Sequence, residues 1–463
     1  MKLSPIFAAQ LSRPRVLWLF ALSVSFLLSV SAAFRGGYVG PDYCWHLERM
    51  LDSSRFFDFS TGDPPIYIIL GHGLFRLIGK NDGFPITLSI IQAAVNTLAM
   101  WCFFLYTERC FKSPVVHLGF VFFLTFLPVR VIHSVTSGTD WMTIPVFVLL
   151  LYVFDNFLSD ATSTQKNAAV LGLTLALGIW SKYSFMALLP ALFAIFAFLW
   201  WKRAWKLQRF VSICALSLVL PSALVVYSHW ASGYEKKAEA RTLWLPKGGA
   251  PGQPDMNWKD LFSVKVRDLQ LFKAPEYFRT PKHRGPQYLS EDIRVGHKHS
   301  YLGLSHMATF TDSMNLFQDL PGPHSIERFL IPDFKVRRPW KTPVMVASMS
   351  LGAPWTLLAL IGTPLIFFGA VNHLRKDKLK REDVVAFLGT AYFLLMFLPI
   401  PFVYWGALGG AWTPRLILSP LLYFFLAAFL LIDRTIVAKW KRSAFVVLAF
   451  VLLQSAIEIA MLA

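Results

Sequence analysis

The sequence predicts an all-α integral membrane protein: a polytopic helical bundle of about 11 transmembrane helices, with external amphipathic helices and one long external loop. Three observations predict it. Of the 463 residues 55% are hydrophobic and only 16% charged, with a mean hydropathy of +0.49, whereas a soluble domain carries about 25% charged residues. Apolar runs of roughly 18 residues or more recur, the length that crosses a bilayer as a helix. The runs are solid rather than alternating, which excludes a transmembrane barrel.

The spans follow in chain order. The first is 16–34; its basic leader MKLSPIFAAQLSRPR resembles a signal peptide, but the run is long for one and many spans follow, so it reads as an uncleaved span. The next six are 84–106, 115–133, 141–158, 168–180, 185–201 and 210–230. After a long polar insertion come 344–371, 384–405, 414–432 and 444–462. Residues 65–78 are apolar but short, and read as a re-entrant or interfacial helix.

Charge supports this order. With the N-terminus inside, the inner loops WKRAWKLQR (201–209), NHLRKDKLKRED (372–383) and DRTIVAKWKR (433–442) are basic, while SVTSGTD (134–140) and GALGGAWTPR (406–415) outside carry little positive charge. A crossing at 65–78 would invert every later loop. The net charge of +18 is therefore topology and membrane-lipid contact, not nucleic-acid binding. Cys44, Cys102, Cys110 and Cys214 form no disulfide or zinc framework. No Asn-x-Ser/Thr acceptor occurs, which fits a bacterial inner membrane, with an ER membrane as the alternative.

Three parts follow: an N-terminal transmembrane module, 1–230, whose first external loop is 35–83; an external loop or small lid, 231–343; and C-terminal transmembrane helices, 344–463. The loop is rich in Pro and Gly, and its histidines are too scattered for a zinc site. Its stretch LSHMATFTDSMNLFQDL (304–320) has enough apolar residues to fold against the membrane.

Candidate functional residues stand at span boundaries. GPDYCWHLERML (40–51) places Asp42 at the start of an amphipathic helix, where an acid complements the helix dipole. Tyr43, Leu47, Met50 and Leu51 share one face; Asp42, His46 and Arg49 share another. STGDPPIY (60–67) then brings Asp63 and Tyr67 into the short apolar helix, which also carries His72. SGTD puts Asp140 at the mouth of the fourth span, GIWSKYS puts Lys182 between spans five and six, and AWTPR puts Arg415 at the outer end of the tenth. Each has a plain structural reading: helix-start acid, cap, snorkelling cation, surface histidine, packed ring. All fall on one membrane face, and ionisable groups beside the apolar slab are functional candidates.

The order of a first span, an acid starting an external helix, a Pro-Pro-x-Tyr turn, an acid before the fourth span and a lysine between spans five and six resembles the GT-C glycosyltransferases. Within them it is similar to the dolichyl-phosphate-mannose-protein mannosyltransferase and aminoarabinose-transferase-like group, glycosyltransferase family 39. The resemblance covers about residues 10–230. It implies transfer of a sugar from a polyprenyl-phosphate carrier to a lipid, glycan or protein acceptor on the periplasmic or lumenal face. It carries a catalytic role to Asp42 and Asp140 and a phosphate contact to Lys182 and, more loosely, Arg415. His46, His72, Tyr67 and Asp63 become substrate-binding candidates. The group often shows Asp-Glu in the first loop; here Tyr43 follows Asp42, so no cofactor is implied with certainty, and a divalent cation between Asp42 and Asp140 stays open. A secondary transporter and a non-catalytic membrane subunit of an envelope-assembly complex are the rival readings. The sequence shows no internal repeat and no mid-membrane cluster among the residues singled out, as a transporter would favour.

Overall fold

The computed structural model describes residues 13–35, 43–52, 64–79, 83–136, 138–159, 164–202, 206–231, 301–310, 341–376, 378–397 and 417–463. Every regular element among them is helical. Helix α1 (Arg13–Phe34) is followed by two short helices, α2 (Tyr43–Leu51) and α3 (Pro65–Ile78). With 14 residues, α3 is about 21 Å long, short of the ~30 Å hydrocarbon core. Pro65 opens it, where the missing N–H costs nothing, and Gly79 at φ 84° ends it.

Helix α4 (Gly83–Thr107) leads to the pair α5 (Pro114–Phe126) and α6 (Pro128–Val135). The expected single span 115–133 is instead bent by 47°. Pro128 supplies no N–H for the Leu124 carbonyl and forces Leu127 out of the helical region. Arg130 repairs the break: its Nε donates to Leu124 O at 2.9 Å and its Nη2 bonds Thr125 O and Ser25 Oγ of α1. A buried arginine thus supplies the donors that a membrane interior cannot.

Helices α7 (Thr143–Ser159), α8 (Thr164–Ser181) and α9 (Leu188–Lys202) form a zigzag. Helix α10 (Leu207–Cys214) continues through a π-turn, Ala215–Val219, into α11 (Leu220–Ala231). The π-turn lies where α8 comes closest: a Cβ on Gly172 would stand 2.3 Å from Leu216 O and 2.9 Å from Ser217 Cα. Gly172→Ala therefore has to push two backbones apart. A loss of about 1–3 kcal/mol is expected, the usual cost of overpacking, read as a lower melting temperature in detergent. Gly73→Ala, with nothing within 4 Å of the new carbon, serves as the neutral control.

The C-terminal part contains α12 (Tyr301–Phe310), α13 (Lys341–Arg375), α14 (Arg381–Phe397), α15 (Leu418–Ile432) and α16 (Ser443–Leu462). These helices share the main apolar core with α1 and α4–α10, while α2 and α3 pack in a smaller cluster with the start of α4, Trp141 and Met142. Phe123 packs on Phe425 at 4.9 Å, and Trp355 stacks on Phe429 at 4.5 Å. Of the loop stretch expected to fold against the membrane, α12 packs into the bundle. Phe310 fills the space left by Gly352, and His306 bonds Thr356 Oγ1 at 2.9 Å and Met349 O at 3.0 Å. The remainder, 311–320, lies outside the described residues.

Among the described residues eight helices are long and apolar enough to cross a membrane, or nine if α5–α6 counts as one span. The expectation was about 11. The difference lies in α8, which opens on a polar turn, and α14, which has 17 residues. Both still run alongside α7: Lys182, just past α8, meets Asp140, and Arg381 at the start of α14 lies 3.6 Å from Asp155 near the end of α7. The two ends of the bundle are tied separately. Arg15 pairs with Glu108 at 2.6 Å at one end; Ser89 Oγ donates to Val135 O at 2.6 Å at the other. Asp140 follows Val135 and so belongs to this second end.

Candidate active site

The second end collects side chains from segments far apart in sequence. Helix α8 stops at Ser181, and Lys182 takes an extended conformation (φ −157°, ψ 121°) that begins the 3₁₀ turn Tyr183–Ala187. Its Nζ lies 2.5 Å from Asp140 Oδ1 and donates to Thr139 Oγ1 at 3.0 Å. Both charged side chains are largely withdrawn from the surface, at 15% and 7% exposure. Such a pair gains Coulomb energy in a low dielectric and loses hydration. Its worth lies in fixed geometry, a cation held at the mouth of the bundle.

The loop bearing Asp140 abuts α2. A Cβ on Gly138 would stand 3.9 Å from His46 Cε1. His46 packs edge-on against Tyr67 of α3 at 5.3 Å, and Tyr67 against Trp141 at 6.3 Å. Tyr67 is fully buried, and its hydroxyl accepts from Gln92 Nε2 at 2.9 Å. Asn96, one turn further along α4, donates to Trp141 O at 3.2 Å. His72 Nδ1 meets Met50 O at 2.7 Å, joining α3 to α2, while Arg76 Nε donates to His72 Nε2 at 3.2 Å. A small cavity among His46, Met50, Tyr67, Phe84 and Leu88 opens beside this cluster.

Residues 63–229 match the model of the dolichyl-phosphate-mannose-protein mannosyltransferase family. The resemblance is thus shown over 63–229, the segment with the Pro-Pro-x-Tyr turn, Tyr67, His72, Asp140 and Lys182, while the first span and Asp42 fall outside the match. No curated protein matches the chain. Among solved structures, the Archaeoglobus fulgidus oligosaccharyltransferase in its apo form aligns at TM-score 0.45 and 12% identity, over 96% of this chain and 56% of that one. This chain thus spans little more than half of that protein's length.

Of the residues singled out from sequence, Asp140, Lys182, His46, Tyr67 and His72 are brought to one end of the bundle. Asp42, Asp63 and Arg415 lie outside the described residues. The surface reading of His46 is corrected: it is 1% exposed, and Arg49 is fully buried. The face carrying 46 and 49 points inward because α2 lies across α3 and the Asp140 loop instead of floating on solvent. Thr139, Gln92 and Trp141 were not singled out. Gln92 and Asn96 stand four residues apart in an otherwise apolar span, and that spacing was the signal that marked an inward polar stripe. Among the described residues no three His, Cys, Asp or Glu side chains converge as metal ligands. Asp140 has an ammonium at 2.5 Å from Oδ1; Asp42, the other acid of the expected cation pair, lies outside the described residues.

Proposed function

We propose that the protein is a membrane glycosyltransferase that takes a sugar from a polyprenyl-phosphate carrier and transfers it at the Asp140–Lys182 end of the bundle. The observation that carries this reading is the 2.5 Å contact between Asp140 and Lys182, which joins the acid and the lysine carried over from the family beside the helix that follows Asp42. In the reaction the anomeric carbon–phosphate oxygen bond breaks and a bond forms from an acceptor hydroxyl oxygen to that carbon. The acceptor proton passes to the Asp42 carboxylate, since a hydroxyl needs a base within about 3 Å as it attacks. The lipid phosphate leaves with an extra negative charge. Lys182 stabilises that charge, with Arg415 as the second cation and the bidentate partner. Asp140 keeps the Lys182 ammonium in place.

The carrier's apolar tail lies among spans while its phosphate reaches the cationic end. A single displacement inverts the anomeric centre, and a product that retains the donor's configuration would overturn that step. The acceptor is a lipid, a glycan or a protein on the outer face, which in a bacterium is the periplasmic side of the inner membrane. The test is incubation of purified protein in vesicles with a labelled lipid-phosphate sugar and a mixed acceptor extract. Release of lipid phosphate with label on an acceptor is expected. Uptake of label without cleavage would make the protein a transporter, and neither outcome would make it a scaffold.

A further inference from the structure

We propose that Tyr392 is a positioning residue that holds Lys182 toward the departing phosphate, acting through Ser184; this rests on the role given to Lys182 above. Tyr392 lies in α14, far outside the mannosyltransferase-like segment 63–229. Its hydroxyl is 2.5 Å from Ser184 Oγ, and both side chains are buried. Its ring packs against Phe185 at 5.2 Å and Phe147 at 6.2 Å. One side chain of the C-terminal helices thus clamps the 3₁₀ turn that Lys182 begins.

The turn is tied on its other flank as well. Lys182 N–H donates to Gly178 O at 2.7 Å and Phe185 N–H to Lys182 O at 3.1 Å. The Phe185 ring lies so close to Gly178 that a Cβ there would come within 3.0 Å of it. From this turn the Lys182 side chain reaches Thr139 and Asp140. The Tyr392–Ser184 bond and the Lys182–Asp140 pair are thus joined through the backbone of one short turn.

The physical need is clear. A lysine carries its charge on a flexible four-carbon stem, so aim depends on the backbone that bears it. Phenylalanine would fill the same space; the hydroxyl adds a directed bond, and a buried tyrosine oxygen needs a partner. Fixing Ser184 fixes the backbone two residues from Lys182.

The test compares Tyr392→Phe, Ser184→Ala and the double variant with the wild type, all in nanodiscs. Each single substitution is expected to lower turnover roughly fivefold, the factor of one net hydrogen bond, with acceptor KM unchanged. The double variant falls no further than either single one, because both remove the same bond. Independently of activity, the rate at which an amine-reactive ester acylates Lys182, followed by mass spectrometry, rises by a similar factor in Tyr392→Phe. Acylation of Lys441, in the turn preceding α16, stays the same, which separates a loosened Lys182 turn from a loosened fold. Unchanged Lys182 labelling, or turnover losses that multiply in the double variant, would overturn the proposal. If the wild type releases no lipid phosphate, the transfer reading fails, and the labelling arm alone then decides whether Tyr392 holds Lys182.

Discussion

Asp42→Asn is expected to lower sugar transfer by about 10²–10⁴-fold, the usual contribution of a positioned general base, while expression and membrane insertion stay at wild-type levels. The substitution keeps size and polarity at the start of α2 and removes only the ability to accept a proton. The inward turn of α2 supports the choice. His46 and Arg49, which share a helical face with position 42 by their i+4 and i+7 spacing, are buried, with His46 beside the Asp140 loop. An acid just before a helix start also complements the helix dipole, which favours its ionised form. Release of labelled lipid phosphate is the measurement, with Asp42→Glu as the conservative partner that recovers part of the rate. An Asn variant that turns over like wild type removes Asp42 from the chemistry.

Lys182→Met has two separable effects. It leaves the Asp140 carboxylate, at 7% exposure, without its ammonium, and stranding one member of a buried pair costs about 3–5 kcal/mol, less to the extent that the Lys182 side chain is hydrated. It also removes a cation from the leaving phosphate. The double variant Lys182→Met/Asp140→Leu removes both charges, so the melting temperature should recover most of the loss. Transfer should not recover, because an apolar pair offers nothing to a departing phosphate; a decrease of at least about 10²-fold is expected for the loss of one electrostatic stabiliser. Melting in detergent and single-turnover lipid-phosphate release measure the two effects. A double variant that regains activity would limit the pair to a structural role.

The parts of the fold that were legible in the sequence are those set by solvent. Long solid apolar runs in a chain with 16% charged residues have only a lipid-facing bundle to form, and the basic loops order its ends. The break at Pro128 was less legible, since its residues 115–133 read as one apolar run. Whether a proline kinks or ends a membrane helix depends on which donors surround the freed carbonyls, and here Arg130 and Ser25 decide it. The inward direction of His46 and Arg49 was partly legible, since they share a face with Asp42 that reads as turned to a polar cavity. The full burial of His46 was not, because a lone histidine on an amphipathic helix reads as a surface residue until another element is known to lie over it.

By itself the sequence determined a polytopic helical membrane protein and put an acid and a lysine at two particular span ends, because hydrophobic length and charge bias act locally along the chain. The tertiary structure alone decided that Asp140 and Lys182 touch, that His46 of α2 is buried, and that Tyr392 from a distant helix grips the lysine's turn. Those contacts depend on how helices cross and, at the lysine's turn, on how tightly Gly178 lets Phe185 approach. Packing of this kind couples residues of unrelated position and leaves no periodic mark in the sequence.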